Sequence, residues 1–373
     1  MFLNNSSAET YEDCWRKGFW SREYIGLGGP GGIETHWTNE NLVFGQLIHA
    51  ILAQLYAGRS VNNAIKLGVW EIRGLLKFDQ LDYEEQNKWQ ENFEWAGRLM
   101  EAYDVWREDV DDFQPLQIES EGCVVLGEIC YDCGAEYPNA YLEENPTALH
   151  KCINCGAEVH HWVFRTDLVI ADGNYVEVLD HKTTKGASAT FIESWERNFQ
   201  MYGYAYGYEK ATGMPVSGYR MNIIRKLKTV GTPQQTTKQC PVCRNGKHKV
   251  QWCENCNHTG RVERENNPSD QPFIRPDTYE WTEKKKELFV LQRQITIRRI
   301  MHERAVFDVN PEEAWPMNTK ACYNMGRCPF IKLCFDGDAV KWYEPGDLLL
   351  GDTYRPRPED YVSVRKMALE EAK

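Results

Sequence analysis

The segment from Phe164 to Thr184 reads FRTDLVIADGNYVEVLDHKTT. Two runs rich in apolar and β-branched residues flank the turn dipeptide Asp172-Gly173, so the segment is expected to be a β-hairpin. The first strand carries Asp167. The second ends in Asp180-His181-Lys182, and residues two apart on a strand face the same way. Two carboxylates and an ammonium are thereby gathered around one point, an arrangement suited to a hydrated divalent cation. Eighteen residues beyond Lys182 comes Gln200-x-x-x-Tyr204, whose polar groups, four apart, share one helix face.

Working outward, LVFGQLIHAILAQLYA (residues 42–57) is apolar enough for a mostly buried helix, and it contains Gly45-x-x-x-His49. A lone histidine on such a helix is more often core than ligand. Here it belongs to an ordered series: His49, Asp167, Asp180-x-Lys182, Gln200-x-x-x-Tyr204. This series resembles the PD-(D/E)XK nuclease superfamily and, within it, the RecB-like nucleases. The resemblance covers residues 10–225 and 284–335. It implies an α/β fold, a restriction-endonuclease-like core in which a mixed central sheet is flanked by helices. It also implies metal-dependent hydrolysis of DNA. Asp167, Asp180, the backbone carbonyl of His181 and His49 would hold Mg2+ or Mn2+. Lys182 would orient the attacking water or stabilise charge on the phosphate. Gln200 and Tyr204 match a pair that positions the lysine and the DNA backbone. One position departs from the pattern, since Phe164 stands where relatives often have glycine. Glu119 lies where relatives often carry an acid, and little weight attaches to it.

Cysteine spacing is the second signal. The chain has thirteen cysteines. Cys130-x-x-Cys133 with Cys152-x-x-Cys155 forms one double knuckle, and Cys240-x-x-Cys243 with Cys253-x-x-Cys256 another. Four thiolates from two tight turns suit tetrahedral zinc, and a closed shell of four leaves no position for chemistry. Two structural Zn2+ are expected. Cys322, Cys328 and Cys334 lie in KACYNMGRCPFIKLC, and the distant Cys14 is the candidate fourth ligand. A subset of RecB-like nucleases, including the AddB type and CRISPR-associated exonucleases, joins the two ends of the nuclease domain through a 4Fe-4S cluster with one early and three late cysteines. Their spacing is commonly CxxC and then a five-residue gap, whereas this chain has two gaps of five, so zinc is the competing assignment. Cys123 reads as a buried strand thiol.

The remaining bounds are ordinary. At 373 residues with 42% hydrophobic and 26% charged residues, the chain has a globular balance. A start rich in acids and without a long apolar run points to a cytoplasmic enzyme, and no stretch is apolar enough to span a bilayer. The net charge of −12 argues against clinging to nucleic acid over the whole surface. Residues 220–264 nonetheless hold ten Lys/Arg against two acids, including Arg225, Lys226 and Lys228. This block reads either as a phosphate-tracking flap or as lysines solvating a zinc loop. The expected organisation is a nuclease domain over 1–335, interrupted by zinc insertions at 128–160 and 236–264, and a tail over 336–373. Helices are expected within 63–107, from Trp195 up to Gly213, and over 281–306, with strands at PLQIESEGCVVLGEI and GYRMNIIRKLK. The favoured function is an exonuclease acting on DNA ends. An endonuclease or flap nuclease with the same site, and a non-catalytic DNA-binding or assembly module, are the alternatives.

Overall fold

The computed structural model describes residues 2–23, 33–35, 40–127, 129–130, 132–136, 151–172, 175–227, 237–239, 261–263, 271–310, 313–323, 328–335 and 354–356. In chain order the strands are β1 (Phe2–Leu3), β2 (Ile33–Thr35), β3 (Gln114–Val125), β4 (His161–Asp172), β5 (Tyr175–Thr184), β6 (Val216–Arg225), β7 (Thr237–Gln239), β8 (Arg261–Glu263), β9 (Phe273–Ile274), β10 (Tyr279–Glu280) and β11 (Tyr354–Pro356). The helices are α1 (Asn5–Asp13), α2 (Trp15–Gly18), α3 (Glu40–Tyr56), α4 (Val61–Leu76), α5 (Tyr83–Val110), α6 (Ala189–Ser194), α7 (Phe199–Thr212), α8 (Glu283–Val309) and α9 (Ile331–Phe335).

A mixed sheet of seven strands forms the centre. β3, β4 and β5 are antiparallel neighbours, and β6 lies parallel to β5. β1 runs parallel to the start of β4, while β9 and β10 pair antiparallel with β6. Asp172 pairs with Tyr175 and closes the expected hairpin, whose Gly173 lies outside the described residues. The pairing of β5 with β6 needs a crossover, and α6 and α7 supply it, as parallel pairs require.

Helices cover both faces. On one side α7 and α8 close a cluster containing Trp162, Phe164, Val178, Met221 and Phe289. On the other, α3, α4 and α5 bury Leu47, Ile51, Phe93, Leu99, Leu168 and Leu179. α3 is buried along Val43, Phe44, Leu47, Ile48, Ile51, Leu52 and Leu55, as its apolar sequence demands. α7 begins where the Asn198 side chain accepts from the Gln200 amide, and it ends at Gly213, whose φ of 70° favours glycine. Two glycines let α7 lie against β4. A Cβ on Gly203 would stand 2.4 Å from the Trp162 ring, and one on Gly207 2.3 Å from that of Phe164. Phe164, the departure from the family pattern, is thus accommodated by a glycine on the facing helix.

The strict alternation expected of β4 fails at one place. Trp162 and Phe164 belong to the α7–α8 cluster, yet Leu168 and Ile170, also even-numbered, belong to the other. On β3, Val124 and Ile118 change sides in the same way. The switch falls at Asp167 and Glu119. Glu119 has a left-handed φ of 52°, a conformation that costs a residue with a side chain on the order of 1–3 kcal/mol.

Candidate active site

Asp167 sits where the faces exchange. One oxygen, Oδ1, lies 3.1 Å from Nδ1 of His49, which α3 presents, and Oδ2 accepts the backbone N–H of His181 at 2.7 Å. The Asp180 side chain is 1% exposed and pairs with Nζ of Lys182 at 2.8 Å on the α7 side of β5. Above them Nε2 of Gln200 donates to the Tyr204 hydroxyl at 2.6 Å. With Gln200 donating, the phenol keeps its own proton to donate. The Lys182 ammonium also stands 5.1 Å from the centre of the Trp195 ring. His49, Asp167, Asp180, Lys182 and Tyr204, grouped in the sequence through the family resemblance, lie close enough to influence one another's charge, and Gln200 joins them through Tyr204.

The two carboxylates sit in opposite surroundings. Burial would raise the Asp167 carboxyl, but the charge and hydrogen bond of His49 outweigh it and hold the group below the usual carboxylate range. Asp180 goes the other way. Burial pushes it up, and the nearby Asp167 charge adds to this despite Lys182. Burial also pushes the His181 imidazole down to about 3, so the ring is neutral at physiological pH. Tyr204 is raised well above its ordinary value by burial and then by the two aspartates. A divalent cation between the carboxylates is the group that would offset their repulsion, and the oxygen-rich donor set suits Mg2+ or Mn2+.

Glu119, given little weight in the sequence, lies beside Asp167 and His49. One oxygen of Glu119, one of Asp167 and a ring nitrogen of His49 all lie within 4.8 Å of one another. Glu119 also pairs with Arg165, whose Nε donates to Oε2 at 2.6 Å. Spacing could not reveal this, because a left-handed residue within a strand leaves no mark on the sequence. Glu119→Gln is expected to weaken Mn2+ binding roughly ten-fold without unfolding the protein, as read by calorimetry. Unchanged affinity would return Glu119 to a plain partner of Arg165.

The sequence model of the PD-(D/E)XK nuclease superfamily matches residues 3–335. The chain belongs to the PD-(D/E)XK nuclease superfamily. No curated protein matches it. Members of this superfamily are metal-using nucleases, hydrolases for which DNA is the implied substrate. Among the described residues, no helix is long and apolar enough to cross a membrane.

Beyond the nuclease site, Cys130, Cys133, Cys152 and Cys155 come together between β3 and β4. Sγ of Cys130 is 3.6 Å from that of Cys155, and Sγ of Cys133 is 3.7 Å from that of Cys152. Four thiolates at about 2.3 Å from one zinc ion would be roughly 3.8 Å apart. The two knuckles repeat one fold. The amides of Gly134 and Gly156 donate to the carbonyls of Cys130 and Cys152, each at 2.8 Å, and both glycines have positive φ. Hydrogen bonds from the Ala135 amide and then from Asn154 pull the Cys133 thiol down to about 6.

Cys14, Cys322, Cys328 and Cys334 line one small pocket together with Lys17. Burial raises Cys328, and pushes Cys334 up to about 11. Around the pocket the chain ends are tied directly. Arg16 donates to the carbonyls of Trp315 and Ala314 at 2.7 and 3.2 Å, and the Asn318 side chain to that of Asp13 at 2.8 Å. The Asn318 amide also points at Sγ of Cys14, 3.3 Å away. Cys123 lies half-buried in β3, its thiol pushed up to about 12 by burial.

Of the basic residues, Arg225 donates to the Gln271 carbonyl at 3.0 Å. Lys226 donates to that of Asn41 at 3.0 Å and lies over the Phe44 ring. Both hold part of their charge against protein. Lys228, Cys240, Cys243, Cys253 and Cys256 lie outside the described residues, as do most of the 236–264 insertion and nearly all of the 336–373 tail.

Proposed function

We propose that this protein is a Mg2+- or Mn2+-dependent DNA exonuclease that hydrolyses phosphodiester bonds from DNA ends. The observation that carries the reading is the meeting of His49, Asp167, Asp180 and Lys182 beneath Gln200 and Tyr204. His49, Glu119, Asp167, Asp180 and the carbonyl of His181 would hold the ion. That ion supplies a lowered pKa for coordinated water and positive charge for the phosphoryl oxygens. Lys182 brings a fixed ammonium to the same place, its chain held between Asp180 and the face of Trp195. Tyr204, neutral and anchored by Gln200, offers a proton to a phosphate oxygen. Burial of Asp180, with half-buried Tyr204 beside it, limits water and strengthens each of these interactions.

The reading extends to the cysteines. One zinc ion sits in the knuckle of Cys130, Cys133, Cys152 and Cys155, a second is assigned to Cys240, Cys243, Cys253 and Cys256, and both are structural. Cys14, Cys322, Cys328 and Cys334 ligate a 4Fe-4S cluster, supported by their convergence on one pocket from both ends of the chain.

Linear single-stranded DNA, linear duplex and covalently closed circles, each offered with Mg2+ or Mn2+, test the reading. Linear substrates should fall to short products while circles persist. Equal cutting of circles would make the enzyme an endonuclease. Substrate binding is assigned in part to Arg225, Lys226 and Lys228. Reversing the three charges should weaken DNA binding and lower the salt slope by about one unit for each phosphate no longer neutralised. An unchanged slope would return them to structural roles, such as the bond from Lys226 to Asn41.

A further inference from the structure

On β5, Asp180 and Lys182 face α7, and His181 between them faces α3 and α5. There it enters the apolar cluster of Leu168, Leu179 and Ile224. Polar groups in such surroundings are costly unless bonded, and here a row of them is linked through the Asn222 amide nitrogen, while Oδ1 of Asn222 has no hydrogen-bond partner among the described residues. Nδ2 of Asn222, wholly buried, lies 2.9 Å from Nδ1 of His181 and donates to the Tyr103 hydroxyl at 2.6 Å. The Tyr103 hydroxyl is 2.7 Å from that of Tyr56. With the Asn222 amide in this orientation its nitrogen donates to Nδ1 of His181, which places the ring proton on Nε2; the flipped amide would reverse both roles. The ring stacks on Tyr56 with centroids 5.6 Å apart and meets His49 edge-on at 6.1 Å. Apolar side chains of similar volume would fill this space without the cost of burying polar groups, so packing alone does not account for it.

What the chain of bonds does hold is residue 181. Its backbone N–H fixes Oδ2 of Asp167, and its ring abuts the ring of His49. We propose that the His181 imidazole, tethered through Asn222 to Tyr103 and Tyr56, is a positioning residue that sets Asp167 and His49 for the divalent ion. This rests on the metal-site reading above. It makes the middle residue of Asp180-His181-Lys182 a part of the site by way of the opposite face of the sheet.

The test uses the full chain and Mn2+ alone, with binding read by calorimetry beside the melting temperature. Asn222→Leu and His181→Leu should weaken Mn2+ binding by roughly 10- to 100-fold, the usual effect of losing a residue that orients a ligand. His181→Asn keeps an acceptor near the place of Nδ1 and should stay close to the parent. Tyr56→Phe removes only the far hydroxyl and should give a smaller loss; it carries the test if Asn222→Leu does not fold. Parental affinity in folded Asn222→Leu would overturn the proposal. So would a loss that follows the melting temperature alone, with His181→Asn as weak as His181→Leu. If the parent shows no Mn2+ binding that Asp180→Ala removes, the metal-site reading falls, and the positioning role with it.

Discussion

Asp180→Ala is expected to abolish Mn2+ binding at the site, whereas Lys182→Ala should keep the ion and still lose turnover by roughly 10²–10³-fold. The two residues form one ion pair, so the split distinguishes their roles. Asp180 is a buried oxygen donor beside Asp167, and without it Asp167, Glu119, His49 and the His181 carbonyl are left as a donor set one carboxylate poorer for a hard cation. Lys182 is a cation next to a cation site, so its removal should leave Mn2+ affinity equal or tighter. What it takes away is a fixed positive charge facing the reacting phosphate. Asp180→Ala should fold, because it removes a carboxylate that burial and Asp167 already disfavour as an anion. Calorimetry with Mn2+ and single-turnover cleavage on the same preparations check both halves. Full turnover in a folded Lys182→Ala protein would remove the lysine from the mechanism.

The second large effect concerns the closing of the chain. The anaerobically purified protein is expected to be brown, and Cys328→Ala should lose that colour and lower the stability by about 2–4 kcal/mol, as for loss of a long-range covalent link. The amount is bounded because loop-closure entropy grows slowly with length. It is bounded also because other bonds already join the ends. Arg293, fully buried, pairs with Glu12, and Arg16 reaches Trp315 and Ala314. Elemental analysis with absorption spectroscopy decides the metal. Iron and sulfide lost with Cys328 are expected, whereas a third zinc in place of iron would contradict the cluster.

Features set by spacing are legible in the sequence. The hairpin around Asp172, the apolar helix carrying His49, the helix of Gln200 and Tyr204 and the first cysteine knuckle all depend on neighbours in sequence. Their meeting could be anticipated through a family likeness, since no local rule brings α3 to β4. The face switch at Asp167 was not legible, because period-two reasoning assumes an unbroken pleat and Glu119 breaks it with a left-handed backbone. The weight of Glu119 is for that reason hidden from the sequence. Trp195 over Lys182 and the bonds from His181 to Asn222 and Tyr103 were missed because they join residues far apart in sequence. Lys226 reads as a surface cation, but the return of β6 beside α3 places it against Phe44 and the Asn41 carbonyl.

Hydrolysis of DNA at this centre with a divalent ion is the expected activity. It is tested most directly by following end-labelled linear DNA with protein stripped by EDTA and then given Mg2+ or Mn2+. The stripped protein should leave the DNA intact, and added Mn2+ should restore cleavage in the parent but not in Asp180→Ala. Cleavage that persists in EDTA, or that Mn2+ restores equally in Asp180→Ala, would contradict it.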